Sequence, residues 1–186
     1  MHSIVTLWLP ILVSAVIVFV VSSIIHMVLR YHSGDYRQLP SEDEVMDALR
    51  RFNIPPGDYM MPRAGGMAAM RDPKFMEKLN KGPKAMMTVM KSGPGNMGNS
   101  LLLWFLYSIV VGVLTAYICG HTLMPGATYL HVFRIAGTTA FMGYAMALWQ
   151  QPIWYGKSTV TTLKSTFDGL VYGLMTAGTF GWLWPR

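Results

Sequence analysis

Four long apolar runs, at residues 4–29, 101–118, 129–149 and about 167–184, constrain this chain more than any other feature. An α-helix rises about 1.5 Å per residue, so a run of roughly 18 residues reaches across the ~30 Å hydrocarbon core of a bilayer. Lipid offers no partner for an open backbone, and helices are the form such runs take there. The expected fold class is therefore all-α integral membrane. It has four transmembrane helices and a small cytoplasmic α or α+β insert between helices one and two. The expected division is residues 1–30 for helix one, 31–99 for the insert and 100–186 for helices two to four.

Composition agrees. Of the 186 residues 52% are hydrophobic and only 13% charged, where a soluble domain carries about 25% charge. The net charge of +6 does not point to nucleic acid. Eleven of the fifteen Lys and Arg lie between Arg30 and Lys91, interleaved with eight of the nine acids. That is the pattern of a juxtamembrane segment facing an anionic leaflet. The single cysteine, Cys119, excludes an internal disulfide framework. Met1, His2 and Ser3 supply no basic residue before the first run, which exceeds the ~7–15 residues of a signal-peptide core. Helix one is expected to stay attached.

Basic residues also set orientation. Arg30, Arg37, Lys78, Lys81, Lys84 and Lys91 flank the membrane in the first loop, and Lys157 and Lys164 mark the third. The second loop, residues 120–128, has none. Lys and Arg are retained on the cytoplasmic side, so residues 31–99 and 150–165 are expected inside and both termini outside. Trp104, Tyr129, Trp149, Trp154, Trp182 and Trp184 fall where helix ends meet headgroups. Pro10 predicts a kink in helix one near its outer end.

Within the insert, Ser41 and Glu44 have the spacing of a capping box, with Val45, Met46, Leu49 and Phe52 as an apolar face and a stop at Ile54, Pro55, Pro56 and Gly57. Asp72 and Pro73 start a second short helix that Gly82 and Pro83 end, its apolar face being Phe75, Met76 and Leu79. Residues 85–90 read as a short strand that pairs with residues 59–61. Nine methionines lie between Met60 and Met97. Thioethers bind Cu(I), but no MxxM or MxM block with an accompanying His recurs, and methionine is also an adaptable packing and contact residue. Packing or partner contact is the expectation.

Helix four carries Gly169, Gly173, Ala177 and Gly181, a small residue at every fourth position. Such a stripe lets a second backbone approach closely, and in lipid this packing stands in for the hydrophobic drive. Helix three, with Ala136, Ala140, Gly143 and Ala147, is the simplest match. Another subunit is the alternative.

Ionisable residues at membrane depth are where function is sought first. Asp168 is the one acid outside the polar segment. Lys164 precedes it by four residues, and His26 lies near the same level on helix one, close to Ser22 and Ser23. Together Asp168, Lys164 and His26 form a candidate ion or proton site, set against the plainer reading of Asp168 as an interfacial carboxylate with a local partner. Arg134 lies near the opposite face and is not expected to pair with Asp168. On the outer side, Cys119, His121 and Met124 form a C-x-H-x-x-M cluster, with His131 and His2 on the same face, as weak candidates for Cu(I) or zinc. A tetrapyrrole on His26 or His131 is a comparable alternative. The motifs G-x-S-x-G and H-E-x-x-H are missing, and a catalytic role is not expected.

Several stretches carry a resemblance. They are Phe133 to Phe141 (FRIAGTTAF), Trp149-Gln150 and Ile153-Trp154-Tyr155, the ending from Thr166 to Pro185, Pro56 to Met60 (PGDYM), and the start of helix one. The chain resembles an uncharacterised group of small four-helix bacterial inner-membrane proteins. The resemblance implies a bacterial inner membrane and four helices, and it carries no catalytic or ligand residue.

The expected function is a non-catalytic accessory or scaffold subunit of a larger bacterial membrane complex, in contact with the bilayer and with a protein partner or further copies of itself. The alternative is a small oligomeric transporter or ion- or proton-conducting protein. A third reading is a metal- or tetrapyrrole-binding membrane subunit. No cofactor is firmly implied.

Overall fold

The computed structural model describes residues 4–185. Nine helices and strands follow in order: α1 Trp8–Met27, α2 Glu42–Arg50, β1 Gly57–Met61, α3 Pro73–Lys81, β2 Ala85–Val89, α4 Met97–Thr122, α5 Tyr129–Ala145, α6 Gln150–Tyr155 and α7 Thr159–Trp182. Short 3₁₀ turns at Ile4–Leu7, Ala69–Arg71 and Met146–Trp149 join some of them. The chain divides into two compact units, one running through Tyr36 and resuming at Asn96, the other Arg37–Gly95. Residues 31–36 thus pack with the long helices.

In the first unit, two helical stretches, Ile4–Met27 and Met97–Thr122, are long and apolar enough to cross a membrane. The other two long helices are less uniform. α5 gives way to a 3₁₀ turn at Met146. α7 begins at Thr159, eight residues before the fourth apolar run, because Thr161, Thr162, Lys164, Ser165, Thr166 and Asp168 continue the helix without adding hydropathy. Ser158 starts it, its side chain accepting from the Thr161 N–H at 3.2 Å.

α5 and α7 pack along their small residues. A Cβ built on Gly169 would lie 2.7 Å from the Ala145 Cβ, and one on Gly173 would lie 3.2 Å from the Phe141 backbone nitrogen. Ala177 stands 3.0 Å from a Cβ built on Gly137, and Gly181 faces the Tyr129 ring. On α5, Ala136 and Ala140 are buried, while Gly143 turns to Val111 of α4. The core falls into two clusters. One gathers Leu7, Ile11, Ala116, Cys119, Val132 and Phe180. The other gathers Val18, Ile25, Val111, Ala140, Tyr144 and Tyr172, with Trp104 and Tyr31 against it.

Three local expectations change. Pro10 does not kink a helix interior: it lies in the first turn of α1, after the 3₁₀ segment, where its missing N–H has no intrahelical partner to lose. Trp104 turns inward and donates from Nε1 to Ser22 Oγ at 2.8 Å, and Trp184 is buried. Ser41 adopts a left-handed backbone conformation, φ 48°, and caps nothing with its side chain.

In the second unit, β1 and β2 pair antiparallel with Tyr59 opposite Met87 and Met61 opposite Ala85, so a two-stranded sheet accompanies the helices. Ala85, Met87 and Val89 are half-buried while Met86 and Thr88 face out, the alternation of a strand with one covered face. Asp72 caps α3 by accepting from the Lys74 N–H at 2.9 Å, and Gly82 ends it at φ 62°. Met60, Met61, Met67, Met70, Met76, Met86 and Met90 are exposed, so these methionines do not fill a core.

Candidate functional site

The site arises where α1 ends. Arg30 enters the left-handed region at φ 53° and turns the chain back. The next residues close on themselves, the Ser33 N–H donating to the Arg30 carbonyl and the Asp35 N–H to the His32 carbonyl, each at 3.0 Å. This turn brings His32 under the end of α1, where its ring stacks on His26 with centroids 4.7 Å apart and planes 4° from parallel. The Tyr31 ring lies 4.3 Å from the other side chain of the pair, His32.

His32 joins two carboxylates. Its Nδ1 lies 2.5 Å from Asp35 Oδ2 and its Nε2 2.7 Å from Asp168 Oδ2. A carboxylate oxygen accepts, so with both acids ionised both ring nitrogens donate. Lys164 completes the array from one turn earlier on α7, donating from Nζ to Asp35 Oδ1 at 2.6 Å and to the Tyr31 carbonyl at 2.7 Å. The Lys164 ammonium, and after it the His32 ring, hold the Asp35 carboxyl below the usual carboxylate range.

Asp168 is 3% exposed and is the tenth residue of α7. Its partner is not Lys164 on its own helix, which is engaged by Asp35, but His32 from the loop after α1. Arg134 forms no ion pair with it. Among the described residues, Asp168 Oδ1 has no hydrogen-bond partner, and the buried hydroxyls of Tyr31 and Tyr172 have none either. A buried polar atom without a partner costs about 1–3 kcal/mol, more when charged, so each such atom calls for a partner such as a water or an ion.

His26 takes part differently. Its Nδ1 donates to the Ser22 carbonyl at 3.0 Å, which leaves Nε2 with the lone pair in the neutral ring. One donor atom from each of His26, His32 and Asp168 lies within 4.8 Å of the others. Of the sequence candidates, Asp168, Lys164 and His26 therefore meet around His32 and Asp35, two residues that the sequence reading did not single out. Their only signal was an H-x-x-D step directly after an apolar helix, which is also a common turn sequence.

The outer cluster does not converge. Cys119 is buried in the core, His121 is exposed and donates from Nδ1 to the Tyr117 carbonyl at 2.7 Å, and Met124 is 79% exposed. Positions two apart on a helix point to opposite sides, and Met124 lies beyond the helix end. His131 is exposed on α5, and His2 lies outside the described residues.

No protein-family model, curated protein or solved structure matches the chain.

Proposed function

We propose that the chain is a four-span protein of the bacterial inner membrane that handles a cation at the Asp35–His32–Asp168 array, as a small oligomeric transporter or ion-conducting protein. The observation that carries this reading is Asp168. A carboxylate buried along a helix is costly unless its charge is paired and its oxygens are bonded. Here one oxygen bonds His32 and the other bonds nothing. The unpartnered oxygen leaves a place for a cation beside a carboxylate that is otherwise held by one hydrogen bond.

Four spans are supported by the close packing of α5 on α7, which brings two less apolar helices together along Gly169, Gly173 and Ala177. The distribution of Lys and Arg puts residues 31–99 and the turn before α7 in the cytoplasm, with both termini outside. The array then lies at the cytoplasmic end of the helices. Four helices enclose little interior, so further copies of the chain would complete a pathway.

The test is flux. Purified protein in sealed vesicles under a pH gradient is expected to move protons or cations, and Asp168→Asn is expected to abolish the flux while leaving the oligomer unchanged on size-exclusion chromatography. A second reading, the non-catalytic accessory or scaffold subunit, is favoured by the exposed methionines of the second unit, which suit adaptable contact. No flux from the wild type, with stoichiometric recovery of a larger complex from the membrane, would replace the first reading with the second.

A further inference from the structure

We infer that His26, His32 and Asp168 form a binding site for one divalent first-row transition-metal ion. The inference builds on the cation-handling reading and names the class of cation.

The donor set decides the class. Two imidazole nitrogens and one carboxylate oxygen suit zinc, cobalt, iron, manganese, nickel or copper in the divalent state. They are too nitrogen-rich for magnesium or calcium and contain no thiolate or thioether for Cu(I).

The hydrogen bonds around the rings make the same point independently. A histidine that ligates a metal through one nitrogen commonly donates its other N–H to a carboxylate or a backbone carbonyl, which sets the tautomer and the ring orientation. Both arrangements are present. His32 Nδ1 faces Asp35 Oδ2, and His26 Nδ1 donates to the Ser22 carbonyl. Each ring therefore has its Nδ1 engaged and directs its ligand capacity to Nε2. Asp35 is in turn held by Lys164, which neutralises the supporting carboxylate without competing as a ligand.

The third observation is Asp168. It is buried, its Oδ1 is without a partner, and its Oδ2 is already 2.7 Å from His32 Nε2. Donors around a tetrahedral ion with bonds of about 2.0–2.2 Å stand roughly 3.3–3.6 Å apart. The three donors here lie within 4.8 Å of one another, so binding asks the His32–Asp168 pair to open from 2.7 Å and His26 to draw in, shifts of about an ångström. His26 is exposed, which gives the ion an approach and leaves it a coordination position for water.

Binding exchanges a proton for the ion. The proton shared by His32 Nε2 and Asp168 Oδ2 leaves to water, and the two atoms, 2.7 Å apart without the ion, separate to admit the metal between them. His32 keeps its Nδ1 proton toward Asp35. The charged and titratable groups around the ion are then His26, His32, Asp35, Lys164 and Asp168, with the Tyr31 and Tyr172 hydroxyls nearby on packed elements.

The experiment uses the full chain, freed of any histidine tag, in detergent. Equilibrium dialysis against Co²⁺ or Zn²⁺ with elemental analysis is expected to give one ion per chain, and bound Co²⁺ is expected to show the visible absorption of a tetrahedral or five-coordinate N/O site. His26→Ala and Asp168→Asn are expected to lose stoichiometric binding, and Asp35→Asn to weaken it by about 10–100-fold. His121→Ala is expected to leave it unchanged. Wild type loaded with Cu²⁺ needs no variant to fold, and its electron spin resonance is expected to show two imidazole nitrogens. The inference is overturned by less than one ion per chain, by fewer than two imidazoles, or by binding that survives both ligand substitutions. Metal binding without flux keeps the site and overturns transport; proton flux without metal binding does the reverse.

Discussion

Asp35 is the residue through which the loop after α1 is tied to α7. Two hydrogen-bond donors, the Lys164 ammonium first and the His32 ring second, hold its carboxyl below the ordinary range. A carboxylate lowered on folding contributes stability that is fully present above its unfolded value of about 4, and that is lost as the pH falls through the lower folded value. The loop is expected to stay docked through neutral pH and to release below about pH 4. Hydrogen exchange at the Ser33 and Asp35 amides, corrected for its intrinsic pH dependence, reads this directly. Asp35→Asn should abolish the pH dependence; wild-type protection that persists to pH 2 would show that the charge is not what holds the loop. Asp168, Lys164 and His26 were legible in sequence because polar side chains stand out against apolar surroundings. His32 and Asp35 were not, since in a polar loop they look like any turn residues. Only the left-handed turn at Arg30 brings them back to α7.

At the scale of the element, α7 combines a polar first half with a tightly packed second half. Gly169 and Gly181 make the closest approaches of the stripe to α5, each 2.7 Å for an added Cβ, and at Gly169 the neighbour is the Ala145 Cβ, which has no flexible end to move aside. Gly169→Leu is expected to cost about 1–3 kcal/mol by overpacking, seen as a lower Tm in detergent. Gly178→Ala makes only an ordinary 3.8 Å contact with the Tyr129 hydroxyl and should leave Tm nearly unchanged. Equal Tm values for both variants would show that the small-residue face is not where the helices press together. In the second unit, the Asp72 cap is the corresponding local device. Asp72→Ala should destabilise α3 by about 1 kcal/mol, measured as faster amide exchange over residues 74–81. The Asp72 cap and the pairing of residues 59–61 with 85–87 could be read locally, because N-cap chemistry and strand alternation act over a few residues. The Ser41 capping box failed because the same S-x-x-E spacing is satisfied in sequence whether or not Ser41 takes an extended backbone, and here it does not.

For the whole molecule, the proposal makes a definite topology: four crossing helices with both termini outside. Cysteine labelling from outside intact cells measures it, with Cys119 buried and therefore a quiet background. Met124→Cys is expected to react with a membrane-impermeant thiol reagent and Ser92→Cys to be shielded until the cells are opened; the reverse pattern would invert the topology. Hydropathy alone was enough to reveal the helices α1 and α4 and the polar segment between them, because transfer of apolar side chains depends on composition over about 20 residues and not on neighbours. It did not reveal that α7 begins at Thr159, since helix continuity through Thr, Lys and Asp depends on the partners those side chains find elsewhere. Nor could it assemble the site. Asp168 and His32 are 136 residues apart, and whether a buried carboxylate meets an imidazole, an ammonium or nothing is decided by how the loop after α1 folds back against α7.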